Sequence, residues 1–232
     1  GFGLEYEHKF DPLPQDPPGT DIYVTKATKY EWAPDTYVAF PIVYFHYEND
    51  GPETRRTLGE KERGLGSGPI ETQLSVSRDG LNWKRYNRPT YLGPGEHAGE
   101  NVITAYIAHG MVKRGNEIWQ YYFGETQYHS AYKKDPDGRG VYRLTQRLDG
   151  FVSIDSPYEK EVEMVTKPFT FDGDYLTLNI DTDAAGYTQV GVLDVNGNAI
   201  DGFSVDECVY VNGDFFDKKV EWINKGTDIS EL

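Results

Sequence analysis

Apolar and polar residues alternate along this chain in short runs, and turn dipeptides break the runs at frequent intervals. Asp-Gly begins at residues 50, 79, 137, 149, 172 and 201, and Asn-Gly at 196 and 212. Between these turns lie apolar-rich segments of strand length: Tyr37–Tyr47, Ile70–Ser77, Ile103–Lys113, Glu117–Phe123, Val141–Arg147, Tyr175–Asp181 and Thr188–Asp194. None of them sustains a helical period, whereas a period of two puts alternate side chains on one face of a strand. The pattern predicts an all-β protein, built as a sandwich, barrel or propeller.

Two stretches share one hairpin grammar, Ser77–Trp83 around Asp79-Gly80 and Arg147–Ser153 around Asp149-Gly150. Asp-Gly supplies the positive φ angles of a two-residue hairpin turn, which makes Asp79 and Asp149 turn formers. Two stretches containing Pro and Gly, Asp11–Thr20 and Asn49–Pro69, read as loops. A domain boundary is expected near Asp155–Tyr158, dividing residues 1–157 from 158–232. In the second part Leu176, Leu178 and Ile180 share one face, with Val190, Val192 and Ile200 expected to pack above them. Asp194–Asn198 starts like a calcium loop but lacks the later ligands and the closing Glu, so a type I′ hairpin is expected there. Asp135–Gly138 reads the same way.

Composition narrows the function. A net charge of −15 argues against nucleic acid and anionic membrane as partners, since both are met by basic patches. No stretch approaches the roughly 18 apolar residues of a membrane span. The single cysteine, Cys208, excludes an intramolecular disulfide and reads as a small core residue. Tyrosine dominates the aromatics with 18 copies, which suits half-buried sheets or a sugar-binding face. No nucleophile elbow, phosphate loop or HExxH helix is present, and no cofactor or metal is implied.

Asp21–Val24, Glu71–Trp83, His109–Tyr122 and Arg147–Ser153, with Gly202-Phe203-Ser204 and Val220-Glu221-Trp222 further on, together resemble the C-terminal part of a bacterial family of predicted glycoside hydrolases. That family is distantly similar to five-bladed β-propeller enzymes of the fructosidase and arabinosidase/xylosidase type. The resemblance implies propeller blades over residues 1–157, a C-terminal β-sandwich over 158–232, a carbohydrate substrate and a periplasmic or extracellular location. Residues 1–157 supply material for about two to three blades, and a ring needs at least four. Expected partners therefore include further blades of the same protein or an oligomer partner.

Glycosidic cleavage by the usual route needs two carboxyl groups flanking the bond. On the resemblance, the candidates are Glu71, at the start of a strand after the Gly-rich approach Gly64–Pro69, Glu100 in the cluster Glu96–Asn101, and Glu125 where a strand runs out into Gly, Glu and His. His97 and His129 would contact substrate, and Tyr106, Trp119, Tyr121 and Tyr128 would stack on sugar rings. Bland readings stand beside these. Glu71 also reads as a solvated strand-edge carboxylate, Glu100 as a loop charge, and His129 as a hydrogen-bonded structural histidine. A non-catalytic carbohydrate-binding module and a partner-binding β-protein with an exposed sheet edge are the rival functions.

Overall fold

The computed structural model describes residue 16 and residues 20–46, 68–85, 90–129 and 135–232. The expected loops Asp11–Thr20 and Asn49–Pro69, and with the latter most of the Gly-rich approach to Glu71, lie largely outside the described residues. The chain divides into two compact units, Gly1–Thr145 and Gln146–Leu232. Among the described residues there is no α-helix, so the all-β expectation holds, and none has a helix long and apolar enough to cross a membrane.

The first unit is organised by one nine-stranded sheet. Its strands are β1 (Thr20–Lys29), β2 (Tyr37–Phe45), β3 (Ile70–Gln73), β4 (Ser75–Ser77), β5 (Thr90–Leu92), then, beyond a separate hairpin of β6 (Gly95–His97) and β7 (Glu100–Val102), β8 (Thr104–Ile107), β9 (Val112–Arg114), β10 (Glu117–Glu125) and β11 (Arg139–Arg147). The order is β1-β2-β3-β8-β10-β11, with β4 against β2, β5 against β3 and β9 against β10. A propeller blade is a four-stranded antiparallel sheet, whereas here β3 and β8 pair in parallel, Ile70 opposite Thr104, and join two antiparallel halves. The core is the middle of β2, where Val38, Ala39, Phe40, Ile42 and Val43 are all buried, with Ile70, Ile107 and Ile118 from neighbouring strands. Such a continuous apolar run is what a strand covered on both faces requires.

The turns differ from the two-residue hairpins expected at Asp-Gly. After β4 the chain pairs again only at Lys84, opposite Val76. The wider loop is held by the Asp79 carboxylate, which accepts from the backbone N–H of Leu81 (2.8 Å) and Asn82 (2.7 Å), while Gly80 alone takes positive φ. At Asp149 (φ 60°) the turn closes, Gly150 N–H to Arg147 carbonyl, but no return strand follows. Asp194–Asn198 is a hairpin of type I with a glycine bulge, not type I′: Gly197 N–H donates to the Asp194 carbonyl, and Gly197, not Asn196, has positive φ. The two-residue turn with two positive φ angles occurs at Ala98-Gly99, between β6 and β7.

The second unit holds a two-stranded sheet of β12 (Thr177–Asp181) and β13 (Asp214–Lys219), isolated bridges and one short 3-10 turn at Val205–Glu207. Its core is Phe203, Cys208, Val220, Trp222 and Ile229, with Leu176, Leu178, Val190, Val192 and Ile200 packed on it as the sequence pattern predicts. Trp222 is fully buried. Its ring meets Phe203 edge-on at 5.3 Å, and its indole N–H donates to the Val190 carbonyl at 3.0 Å. Buried Cys208 is a core residue as expected, and burial pushes its thiol up.

Candidate functional site

Strand register decides which candidate residues can meet. Tyr44 on β2 lies opposite Ile70, Ile70 opposite Thr104, and Thr104 opposite Glu125. Residues paired directly across strands share a face, so this row crosses four strands on one side of the sheet. On the same side, by the period of two, stand Tyr106 and Phe123, themselves paired, and Tyr121 and Trp119 farther along β10. Glu71 follows Ile70 and therefore points to the other side.

Above the Glu125 end of the row a polar aromatic cluster forms. The Tyr106 hydroxyl shares a hydrogen bond with Nδ1 of His129. Tyr23 and Tyr44 meet the His129 ring edge-on, at 5.0 and 5.2 Å. His46, two residues beyond Tyr44, lies against the Tyr44 ring and holds Asp21 at 2.7 Å. Tyr23 sits at the irregularity of β1 between Ile22 and Val24, where the extra residue of a bulge re-aims its side chain. Glu125 is only 9% exposed. Burial first, then the nearby Glu125 carboxylate and the Tyr23 and Tyr44 hydroxyls, push the Tyr106 hydroxyl well above the usual tyrosine range. Tyr106 therefore works as a neutral hydrogen-bonding group at any ordinary pH.

Beside the cluster the sheet face opens. A shallow depression of about 330 Å³ is lined by Val24, Lys26, Ile42, Tyr106, Tyr121 and Phe123 among others, at the lower end of the range for small-ligand sites. Tyr121 is 44% exposed. Trp119 is not an open platform: the Arg143 and Arg114 guanidinium groups lie 4.1 and 5.1 Å from its ring, and its indole N–H donates to Glu117.

The remaining candidates stand apart. Glu71 accepts from Gln73 Nε2 and from the Thr90 hydroxyl, each at 2.9 Å, and Gln73 in turn accepts from Arg85, which pairs with Asp16 at 2.5 Å. That is a built-in polar network, with Gln73, Arg85 and Asp16 nearly closed to water. His97 on β6 meets the Tyr122 hydroxyl at 2.6 Å, and Tyr122 stacks on Tyr142 at 5.2 Å. Tyr142 can lie so close because residue 124 is glycine: a Cβ there would stand 2.9 Å from the Tyr142 ring. Tyr122 alternates with Tyr121 and Phe123, so His97 belongs to the reverse face. Glu100, opposite His97, is exposed, and Tyr128 is half-buried just beyond β10.

The structure thus brings together Glu125, His129 and Tyr106, with Tyr121 and Trp119 along the same face, and separates them from Glu71 and His97. Sequence reasoning missed Tyr23, Tyr44, His46 and Asp21. Tyr44 and His46, two apart at the end of a strand, carried a usable signal; the bulge that turns Tyr23 inward carried none.

No protein-family model matches the chain, and neither a curated protein nor a solved structure matches it.

Among the described residues no cluster of His, Cys, Asp and Glu has the make-up of a metal site. What the face offers is chemistry of contact: flat aromatic rings, neutral hydroxyls, an imidazole and one nearly buried carboxylate.

Proposed function

We propose that this is a carbohydrate-active protein whose first unit binds a neutral glycan on the face formed by Tyr106, Tyr121 and Phe123. The observation that carries the reading is the coincidence, on one sheet face, of an aromatic strip, half-buried at Tyr106 and Phe123 and exposed at Tyr121, with the Tyr106–His129–Glu125 cluster. Aromatic rings present flat apolar surface to the C–H face of a sugar, while hydroxyl, imidazole and carboxylate groups bond its hydroxyls. The family resemblance supports the same substrate class. A closed ring of blades is not part of the proposal, because the strands of the first unit join one sheet.

Binding is favoured over hydrolysis by this chain's own carboxylates. Paired-carboxyl cleavage needs the two groups roughly 5 to 9.5 Å apart. Glu71 is on the reverse face and Glu100 on a separate hairpin. Asp21 shares the face, but it stands on β1, four strand pairings from Glu125 on β10, and its carboxylate is held by His46 at 2.7 Å. Glu125, nearly closed to water beside Tyr106, is the carboxyl to test for turnover.

The test is calorimetric titration of the whole chain with a panel of neutral oligosaccharides, followed by analysis of the sugars recovered. Binding without shortened products, weakened by Tyr121→Ala, supports the proposal. Release of products that Glu125→Gln abolishes would convert it to a glycosidase, and no binding to any member of a broad panel would remove it.

A further inference from the structure

From Val152 to Tyr175 every residue of the second unit is exposed, and the stretch carries apolar side chains that a lone chain has no reason to present. Val162, Met164, Val165 and Phe169 are 45 to 66% exposed. After a turn closed by Lys160 N–H on the Pro157 carbonyl, residues 161–172 run without any assigned secondary structure. The sequence Glu161-Val162-Glu163-Met164-Val165-Thr166-Lys167 nevertheless has the alternation of a strand. Glu161, Glu163 and Val165 fall on one side, and Val162 and Met164 on the other.

The first unit carries the matching half. β11 is the last strand of its sheet, paired among the described residues with β10 alone. Its outward side chains are Arg139, Val141, Arg143 and Thr145, all exposed, and between them lie half-buried Tyr142 and Leu144. Val141 is 75% exposed. A long, exposed edge strand is a template for strand addition unless something covers it.

We propose that the Glu161–Lys167 segment of one copy of this chain adds as an antiparallel strand to the β11 edge of a second copy. One register puts Glu161 opposite Arg143 and Glu163 opposite Val141, with each Glu beside an arginine. The same register sets Val162 opposite Tyr142 on the other face. Opposite charges facing each other across strands stabilise such a pair, and the backbone ladder supplies the rest. The commitment to a second copy rests on this charge complementarity: a chain of net charge −15 carries two exposed arginines, Arg139 and Arg143, on this edge and an acidic, apolar segment to meet them. Glu161 would exchange its long bond from the Tyr187 hydroxyl, 3.4 Å, for an arginine. Each copy offers one edge and one segment, so the exchange proposed is reciprocal, the form of a two-fold dimer.

Sedimentation velocity on the whole chain over a concentration series tests this. The expected result is a monomer–dimer equilibrium. Val165→Pro, at an exposed position opposite Arg139 in this register, removes a ladder donor and should leave a monomer with unchanged near-UV circular dichroism. Arg143→Glu, and separately the double variant Glu161→Arg, Glu163→Arg, should each weaken self-association about tenfold, and their mixture should regain it as a heterodimer. A wild type that stays monomeric throughout overturns the proposal. So does a dimer that Val165→Pro and both charge variants leave unchanged.

Discussion

Glu71 and Glu125 stand on opposite faces of one sheet, because Ile70 rather than Glu71 lies in the row that runs through Thr104 to Glu125. One carboxylate is tied into a polar network and the other borders an open aromatic face. Substituting them should therefore affect different properties. Glu125→Gln is expected to weaken glycan binding about tenfold, the scale of one charge-assisted hydrogen bond. Glu71→Ala should leave binding within twofold but cost the first unit about 1–2 kcal/mol, since Gln73 and Thr90 lose their acceptor. Titration calorimetry and urea unfolding, run on both variants, separate the two effects.

The aromatic strip should be graded rather than uniform. Tyr121 is open to solvent, whereas the Trp119 ring is already met by Arg143 and Arg114. Tyr121→Ala should weaken oligosaccharide binding by about 1 kcal/mol or more, a typical share for one stacking ring. Trp119→Ala should weaken it less than Tyr121→Ala. Equal losses in parallel titrations would contradict this ranking.

Asp79 gives the molecule an acid-sensitive loop. The backbone N–H of Asn82 foremost, then its side-chain amide and the Leu81 N–H, hold the Asp79 carboxyl well below its ordinary value. A group whose folded pKa is depressed stabilises the fold above its unfolded value of about 3.9, and that contribution fades as the pH drops below it. Asp79→Ala should accordingly melt at a lower temperature than the wild type at pH 7. The gap between the two should narrow as the buffer is taken from pH 5 to 3. Thermal melts across that range provide the check, and a gap that widens on acidification would refute the assignment.

Trp222 and Cys208 report on the second unit alone. Trp222→Ala empties the centre of its core and should cost about 3–5 kcal/mol. Buried Cys208, its thiol pushed up by the surrounding apolar residues, should react with a thiol reagent only when this unit opens. Labelling during a urea titration should follow the second unit and shift to lower urea in Trp222→Ala. Rapid labelling of the native wild type would disprove the burial.

Local chemistry was legible in the sequence, and long-range pairing was not. The strand segment around β2 follows from its continuous apolar run, those around β10 and β11 from alternation, and the packing of Leu176, Leu178, Val190, Val192 and Ile200 from their spacing. β1 was missed as an element because its side chains are mostly half-exposed, and Ile103–Lys113 broke into β8 and β9 at Ala108–Met111. The decisive event, β3 meeting β8 in parallel, joins strands separated by β4, β5 and the β6–β7 hairpin. No turn dictates such a pairing, so nothing local in the sequence announces which face Glu71 will take. The Asp-Gly turns misled for a simpler reason: at Asp79 the carboxylate preferred the backbone beyond the glycine and widened the loop.

Arg147 carries a practical lesson for anyone dissecting the chain. Its guanidinium donates to Asn179, to Asp214 at 2.5 Å and to the Phe215 carbonyl, and lies 3.9 Å from the Phe216 ring. A fragment begun at the proline-marked stretch after residue 155 would leave this clamp behind and expose the sites it fills on β12 and β13. One begun at Gln146 keeps it. The residue to respect when expressing the second unit by itself is the arginine that closes a strand, and not the proline that punctuates a loop.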